Sequence, residues 1–523
     1  MRCRWVVCLV VAGLVLAGAI ETAAENVYVF ARREPLGTFD PAIVIDGTLE
    51  QIRPAYEGLT RYEYPFTDLS PHPCLATSWE VSSDGLLYTF HLRQGVKFHD
   101  GTDLTAAAVK ASYDRVVLVN KGVATQLQNV YDRTEVVDDY TVRIYLKNPS
   151  PVFLYIAMNI KIVSPTAIVQ HTVVADGKSD YAQAWFDQNE AGTGPYMKDH
   201  WDRPAEMVLK RFEGYWGGWT QGPHYDKVAF PYVREPATQR MMLEKGEATA
   251  IDQTLIGDIP ALEANPDITV YKVPASGMWN ITMNCIQGPC TNPLVRQALS
   301  CAFDYSTFIK TIMAGNMTQA QGPIPSFLDG HDDSLMVYSK DLVKAKDLLT
   351  QAGYGSGGLK LKLVIVQSYQ MEIKTAQMFQ ADLATLGVEL QIQELAWATL
   401  LSVCRNRETA PDLAMIYDLA EFPIPIDILQ RSWHSGGVYD WSWFAESNPR
   451  VDELIDQAKI TVDGAARNAL YGEFQVLVVD NVPAVFLGYD KKIRSLRSSV
   501  GGFVGNPMVS YETPVYYMYP KTQ

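Results

Sequence analysis

Residues 359–393 read LKLKLVIVQSYQMEIKTAQMFQADLATLGVELQIQ, and this stretch decides the fold class. Its first part, Leu359–Val366, is an extended apolar segment typical of a buried strand. Apolar residues then recur at helical spacing, at Ile373, Ala376, Phe379, Leu383 and Leu386. Gly387 ends this helix, and Val388, Leu390 and Ile392 alternate as in a second strand. The stretch therefore predicts a strand-helix-strand unit.

Two other segments extend the mixed pattern along the chain. In residues 86–93, Leu86, Tyr88, Phe90 and Leu92 share one face, as in a half-buried strand. Further on, Asn292 can cap a helix that begins at Pro293. Strands and helices mixed in this way predict an α/β fold, and a length of 523 residues predicts two or three domains.

Composition and charge narrow the class of protein. Apolar residues make up 47% and charged residues 20% of the chain, which is the profile of a globular protein. The formal net charge is −15. Such acidity argues against nucleic acid as a partner, because binding a phosphate backbone requires clustered Lys and Arg.

The N-terminal residues 1–24 are predicted to be a cleaved signal peptide. A basic head precedes the apolar run Trp5–Ile20, and the small residues at 22–24 predict cleavage before Glu25. An uncleaved anchor is the alternative, although the run is short for a membrane core of about 30 Å. No Cys follows the small residues at 16–18, so a lipoprotein anchor has no attachment point. We therefore expect a soluble periplasmic protein.

Cysteine usage leaves the disulfide pattern open. Five cysteines remain after cleavage, and an odd number leaves at least one free thiol: Cys74, Cys285, Cys290, Cys301 and Cys404. Cys301 falls on the apolar face of a helix and is expected to be buried. Cys285 and Cys290 bracket a Gly-Pro turn and could form a disulfide, with Cys404 as a rival partner.

Signatures of catalysis and of metal binding are missing from the sequence. It contains no CxxC pair, no HExxH, no phosphate-binding loop ending in Lys-Ser/Thr and no GxSxG elbow. The sequence therefore predicts no catalytic residue, no metal site and no cofactor. A periplasmic hydrolase stays a distant alternative, because acid and base residues can assemble from separate positions.

Nine local strings, spread over nearly the whole mature chain, resemble one family in order and spacing. The strings are YEGLTRY (56–62), LATSWE (75–80), YTFHLRQGVKFHDGT (88–102), LTAAAVKASYDRV (104–116), GTGPY (192–196), YWGG (215–218), LEKGEA (243–248), VRQALSCAFD (295–304) and NPRVDELI (448–455). They resemble the family 5 extracellular solute-binding proteins, which are the dipeptide, oligopeptide and nickel binders of ABC importers. Most of these strings have a plain structural interpretation as turns and core residues.

The resemblance implies a periplasmic binding protein-like α/β fold of class II, in which two hinged lobes enclose a ligand. It also implies a subdomain inserted into the first lobe and hinges near Val273-Pro274 and Leu487-Gly488. The implied ranges are 25–52, 191–272 and 489–523 for lobe I, 53–190 for the inserted subdomain and 273–488 for lobe II.

In peptide-binding relatives, the segment equivalent to 395–425 contacts the ligand. Trp397 matches a pocket tryptophan, and Glu421 stands where those relatives have a carboxylate that pairs with the amino group of the peptide. The aromatic residue usual three positions earlier is replaced here by Asp418. The resemblance thus implies contacts from all three residues, with a solvated loop face as the alternative for Glu421.

The same resemblance leaves the partner of a ligand carboxylate open. The basic residue of oligopeptide binders aligns with Met415, and nearby Arg405 and Arg407 could substitute, because a guanidinium binds a carboxylate through two parallel hydrogen bonds. A solvated loop face is again the alternative. The aromatic residues Trp279 and Tyr417 are further candidates, since flat rings stack on sugars, peptide planes or cations.

In the first lobe, the resemblance implies backbone contacts from Leu36 and Gly37. The sequence as a whole predicts a monomeric, non-catalytic substrate-binding subunit of an ABC importer. Its partners would be a peptide or amino-acid-like solute and a permease-ATPase complex in the inner membrane. An oligosaccharide or a chelated metal is the alternative ligand.

Overall fold

The structure is a computed structural model that describes residues 25–44, 48–220, 222–508 and 513–521. The predicted signal peptide, 1–24, lies outside these ranges. Among the helices that are described, none combines the length and the apolar character needed to cross a membrane.

The strands of the described residues are short, apart from two long ones near the middle and the end of the chain. They are β1 (Val27–Ala31), β2 (Thr60–Arg61), β3 (His72–Pro73), β4 (Ala76–Val81), β5 (Leu87–Leu92), β6 (Tyr131–Asp138), β7 (Thr141–Leu146), β8 (Val174–Ala175), β9 (Lys178–Ser179), β10 (Tyr196–Asp202), β11 (Glu206–Arg211), β12 (Lys227–Pro231), β13 (Ala250–Ile251), β14 (Ile268–Met283), β15 (Met317–Thr318), β16 (Leu359–Val366), β17 (Val388–Leu395), β18 (Leu413–Leu419), β19 (Ala484–Arg497), β20 (Val500–Gly501) and β21 (Tyr519–Pro520).

The α-helices are interspersed with these strands along the whole chain. They are α1 (Leu49–Ile52), α2 (Ala106–Val119), α3 (Ala124–Leu127), α4 (Phe153–Asn159), α5 (Pro165–His171), α6 (Gln183–Phe186), α7 (Pro236–Lys245), α8 (Ile259–Glu263), α9 (Pro293–Ala302), α10 (Tyr305–Thr307), α11 (Leu342–Leu349), α12 (Gln370–Thr385), α13 (Trp397–Cys404), α14 (Ile426–Ser432), α15 (Phe444–Ser447), α16 (Arg450–Ile460) and α17 (Gly464–Asn481). The prediction of a mixed α/β fold is confirmed.

The largest sheet is organised around two long antiparallel strands, β14 and β19. The strand order is β10-β11-β12-β1-β13-β19-β14-β18-β16-β17, and β15 pairs with β19 off this path. Strand β14 has 16 residues and β19 has 14, and they pair antiparallel from Ile268↔Arg497 to Thr282↔Ala484. Strands β1 and β10–β13 lie on one side of this pair, and β16–β18 lie on the other.

The strand-helix-strand unit predicted from 359–393 is confirmed. Strands β16 and β17 pair in parallel from Leu359↔Val388 to Val366↔Leu395, and α12 connects them. Gly387, with φ of +78°, ends the helical region, because a left-handed backbone is accessible to glycine without strain. The same agreement holds for α9, where the Asn292 side chain accepts a hydrogen bond from the Leu294 amide at 3.0 Å.

A second sheet, in the order β4-β5-β7-β6, lies within the range 53–190. The face predicted for residues 86–93 packs inward, since Tyr88, Phe90 and Leu92 are all buried. The apolar cluster that contains these residues also includes Tyr155 and Phe422, whose ring centroids are 6.0 Å apart. It thus joins the range 53–190 to a segment more than two hundred residues later.

All five described cysteines, Cys74, Cys285, Cys290, Cys301 and Cys404, are buried free thiols. The disulfide considered for Cys285 with Cys290 or Cys404 is therefore not formed. Burial raises the pKa of Cys285 to about 12, which keeps this thiol protonated and unreactive at neutral pH. The buried state expected for Cys301 is confirmed.

Candidate ligand-binding site

A cavity of about 510 Å³ lies beside the paired strands β14 and β19. Its lining combines aromatic rings, methionines and three acidic or basic side chains: Ile256, Trp279, Met313, Val366, Tyr369, Met371, Glu372, Trp397, Met415, Ile416, Tyr417, Asp490 and Lys492. On the boundaries implied by the sequence, Ile256, Asp490 and Lys492 belong to lobe I and the others to lobe II. The cavity thus collects residues from both predicted lobes.

An aromatic wall forms one side of the cavity. Antiparallel pairing of β14 with β18 places Trp279 opposite Tyr417, and their ring centroids are 4.9 Å apart. Tyr369 stacks on the other side of this group, 5.8 Å from Trp279 at an interplanar angle of 21°. Trp397, at the start of α13, is 44% exposed and also lines the cavity. Exposed aromatic faces of this kind can stack on planar or cationic groups.

The position of the Tyr417 ring depends on a glycine in the neighbouring strand. A Cβ atom added to Gly277 would lie 2.1 Å from the Tyr417 hydroxyl oxygen and 2.4 Å from the carbon that carries it. Glycine is therefore required at residue 277 for the ring to lie against β14.

Two oppositely charged residues on β19 hold the Tyr417 hydroxyl. Asp490 and Lys492 are two positions apart, so their side chains extend on the same face of the strand. The Tyr417 hydroxyl donates to Asp490 Oδ2 at 3.3 Å, and Lys492 Nζ donates to the Tyr417 hydroxyl at 3.4 Å. The Lys492 Nζ to Asp490 Oδ2 distance is 3.5 Å, so the two charges compensate each other.

Besides Asp490 and Lys492, the cavity has one further acidic side chain, that of Glu372, and it is almost fully buried. It lies in the first turn of α12, is 3% exposed, and accepts a hydrogen bond from the Val366 amide at 2.7 Å. Burial removes water from the carboxylate and raises the pKa of Glu372 to about 7, although the Val366 amide acts in the opposite direction. The carboxyl group therefore titrates near neutral pH.

Three of the residues predicted from the sequence, Trp279, Trp397 and Tyr417, are brought together in this cavity. Asp418, the next residue of β18, does not line the cavity. Asp418 is buried and accepts from Arg431 Nη2 at 2.6 Å and from the Ser432 hydroxyl.

Glu421 does not line the cavity either. It lies 3.3 Å from Arg431 Nη1, and Gln126 of α3 donates to its other oxygen at 3.4 Å. Its carboxylate thus already has a cationic neighbour and contacts the predicted inserted subdomain.

The two predicted arginines and the two predicted lobe I residues also lie outside the cavity lining. Arg405 and Arg407 are exposed at the C-terminal end of α13, and Arg407 pairs with Glu446. Leu36 is 3% exposed and packs in the core beside β1, and Gly37 is exposed with no atom within 4 Å of an added Cβ.

Sequence reasoning missed Tyr369, Glu372, Asp490 and Lys492. Glu372 lies in the first turn of α12, a position in which an acidic residue is common because it interacts favourably with the N-terminal end of a helix. Asp490 and Lys492 carried a weak signal, as charged residues that follow the predicted hinge at Leu487-Gly488. Over the described ranges, no group of three His, Cys, Asp or Glu side chains could hold a metal ion.

Known proteins resemble this chain over most of its length. The profile of the bacterial extracellular solute-binding proteins, family 5, matches residues 70–440. The probable D,D-dipeptide-binding periplasmic protein DdpA from Escherichia coli K12 is 29% identical over 90% of both chains. The glutathione-binding protein GsiB from Escherichia coli O1:K1 / APEC is 30% identical over 94% of this chain and 95% of its own.

Among solved structures, the periplasmic binding protein DppA from Helicobacter pylori, in complex with the peptide STSA, is 27% identical. It covers 95% of this chain and 99% of its own, with a TM-score of 0.72. This likeness confirms the predicted two-lobed α/β fold. Together with the profile match, it establishes that the chain belongs to the bacterial extracellular solute-binding proteins of family 5.

Proposed function

We propose that this protein is the substrate-binding subunit of an ABC importer and captures a peptide-like solute in the cavity beside the paired strands β14 and β19. The observation that carries the proposal is the composition of this cavity, which joins Asp490 and Lys492 of β19 to the aromatic wall of lobe II. A ligand there contacts both predicted lobes at once. No chemical step is needed for this function.

Closure of the lobes is proposed to work as a population shift. A ligand that touches both lobes only in the closed form stabilises that form by its differential contacts. The pairing of β14 with β19 supports hinges near Val273-Pro274 and Leu487-Gly488, because its register shifts between Pro274 and Met278 and again after Trp279. Such irregularities reduce regular pairing where the backbone has to bend.

The ligand class rests on the cavity and on the relatives. DdpA is named for D,D-dipeptides, GsiB for glutathione, and DppA was solved with a peptide. Aromatic faces can pack on peptide planes, and charged groups of both signs suit a zwitterion. An oligosaccharide is a second candidate, favoured by stacked Trp279 and Tyr369 and by the uncharged Met415 in the lining.

The cellular setting of the proposal follows from the N-terminus. Cleavage before Glu25 would release a soluble protein into the periplasm, without a lipid anchor. There a permease-ATPase complex would distinguish the loaded protein from the empty one.

The test is a ligand screen on the purified mature protein. Mass spectrometry of co-purified small molecules identifies candidates, and thermal denaturation with peptides, sugars and metal chelates ranks them. A ligand that binds only the native state at a hundredfold excess over Kd stabilises it by about 2.7 kcal/mol. If no compound in the screen raises the melting temperature, the proposed function is wrong.

A further inference from the structure

Glu372 differs from the other charged residues of the cavity in having no compensating cation. Asp490 and Lys492 neutralise each other. By contrast, no Lys, Arg or His among the described residues lies within ion-pair distance of Glu372, and its recorded partner is the Val366 amide. The ionised cavity lining therefore carries one net negative charge, and this charge is at a buried site where water solvates it poorly.

The groups around Glu372 are those that receive an organic cation. Tyr369, three positions earlier, is close enough for the charge of Glu372 to raise the pKa of its phenol, after burial as the larger cause. Tyr369, Glu372, Asp490 and Lys492 all line the same cavity. Trp279 and Trp397 complete the lining with indole rings, the aromatic faces that attract cations most strongly.

We propose that the cavity contains a cation subsite, in which Glu372 neutralises a positively charged group of the ligand that lies against the aromatic wall. The subsite rests on the proposed function, since it needs a ligand in this cavity. It assigns the ligand class more narrowly, to solutes with an ammonium, guanidinium or quaternary ammonium group. It also transfers the role that the sequence suggested for Glu421 to a different residue.

A bound cation favours the ionised form of Glu372. Because burial raises the pKa of this carboxyl to about 7, part of the empty protein is protonated there at pH 7. Binding then releases a fraction of a proton for each ligand bound. The other titratable groups of the cavity lining are Tyr369, Tyr417, Asp490 and Lys492.

Two matched pairs of probes test the subsite by isothermal titration calorimetry at pH 7. Choline is compared with its neutral analogue 3,3-dimethylbutan-1-ol, and Ala-Lys with N-acetyl-Ala-norleucine, which carries no ammonium group. We expect the cationic member of at least one pair to bind tenfold or more tightly. Glu372→Gln should remove this preference, since glutamine can still accept from the Val366 amide but carries no charge.

Glu394→Gln is the matched control. Glu394 also accepts from a backbone amide of this loop, that of Ser368 at 3.3 Å, but it is exposed and lies outside the cavity lining. This variant should keep the preference for the charged probes. Comparing wild-type titrations in phosphate and Tris buffers measures the released proton directly, and this readout does not depend on any variant folding.

The outcomes separate the subsite from the peptide proposal. Equal binding of Ala-Lys and N-acetyl-Ala-norleucine, without proton release, overturns the subsite and leaves peptide capture standing. Choline binding without dipeptide binding supports the subsite and contradicts a peptide ligand. If neither charged probe binds at millimolar concentration, the subsite is overturned.

Discussion

At the residue scale, the buried carboxyl of Glu372 has a consequence for the empty protein. The pKa of Glu372 is raised to about 7 in the folded state from 4.5, so the folded chain holds this proton over a range in which the unfolded chain has lost it. Stability therefore falls as pH rises from about 4.5 to 7 and the penalty is complete above that range.

Glu372→Gln removes this penalty. We expect the variant to gain stability relative to wild type between pH 5 and pH 8, by on the order of 2 kcal/mol. Thermal denaturation of both proteins without ligand at several pH values measures the difference. Glu394→Gln should show no such trend, and parallel curves for wild type and Glu372→Gln would contradict the expected burial.

Individual site residues were predictable from the sequence only where a side chain type was informative by itself. Trp397 was predicted from its match to a pocket tryptophan of the relatives, and Trp279 and Tyr417 were predicted because flat rings can stack on a ligand; all three line the cavity. Glu421 lies outside the cavity lining and pairs with Arg431 of α14, and this partner was not predictable from the sequence. Glu372 escaped notice because burial, which changes its chemistry, is a property of the folded chain.

At the scale of elements, β14 supplies the space for its neighbour. Gly277→Ala would place a methyl group 2.1 Å from the Tyr417 hydroxyl oxygen and displace the ring from β14. We expect this variant to bind ligand at least tenfold more weakly and to melt at a lower temperature, because the bonds of Tyr417 to Asp490 and Lys492 are lost as well.

Gly472→Ala provides the comparison, since an added Cβ in α17 has no atom within 4 Å. A helical alanine there should be neutral or stabilising by about 0.5–1 kcal/mol, with unchanged affinity. Calorimetry and thermal denaturation measure both variants. Normal affinity in Gly277→Ala would show that the Tyr417 position is unimportant for binding.

The elements themselves divide into those that local pattern specifies and those it does not. The β16-α12-β17 unit and the Asn292 cap were predictable, since periodicity and capping act within a few residues. The pairing of β14 with β19 was not derivable from the residues alone. It joins segments about two hundred positions apart, and only the family resemblance pointed to this region, as a predicted hinge.

At the scale of the whole molecule, the proposed closure predicts a change of shape. Addition of a saturating probe that binds should lower the radius of gyration, because the ligand stabilises the form in which the two lobes meet around it. Small-angle scattering of the mature protein with and without the probe measures this. Identical profiles, with binding shown independently by calorimetry, would contradict closure by hinge motion.

The apolar contact between Tyr155 and Phe422 has a consequence for ligand release. Tyr155 belongs to the predicted inserted subdomain and Phe422 to predicted lobe II, and neither residue lines the cavity. Part of the contact between these two predicted regions therefore does not depend on a bound ligand. The hydrogen bond from Gln126 to Glu421 adds to the same seam. We therefore expect that a membrane partner has to break these contacts, as well as those of the ligand, before the ligand is released from the cavity.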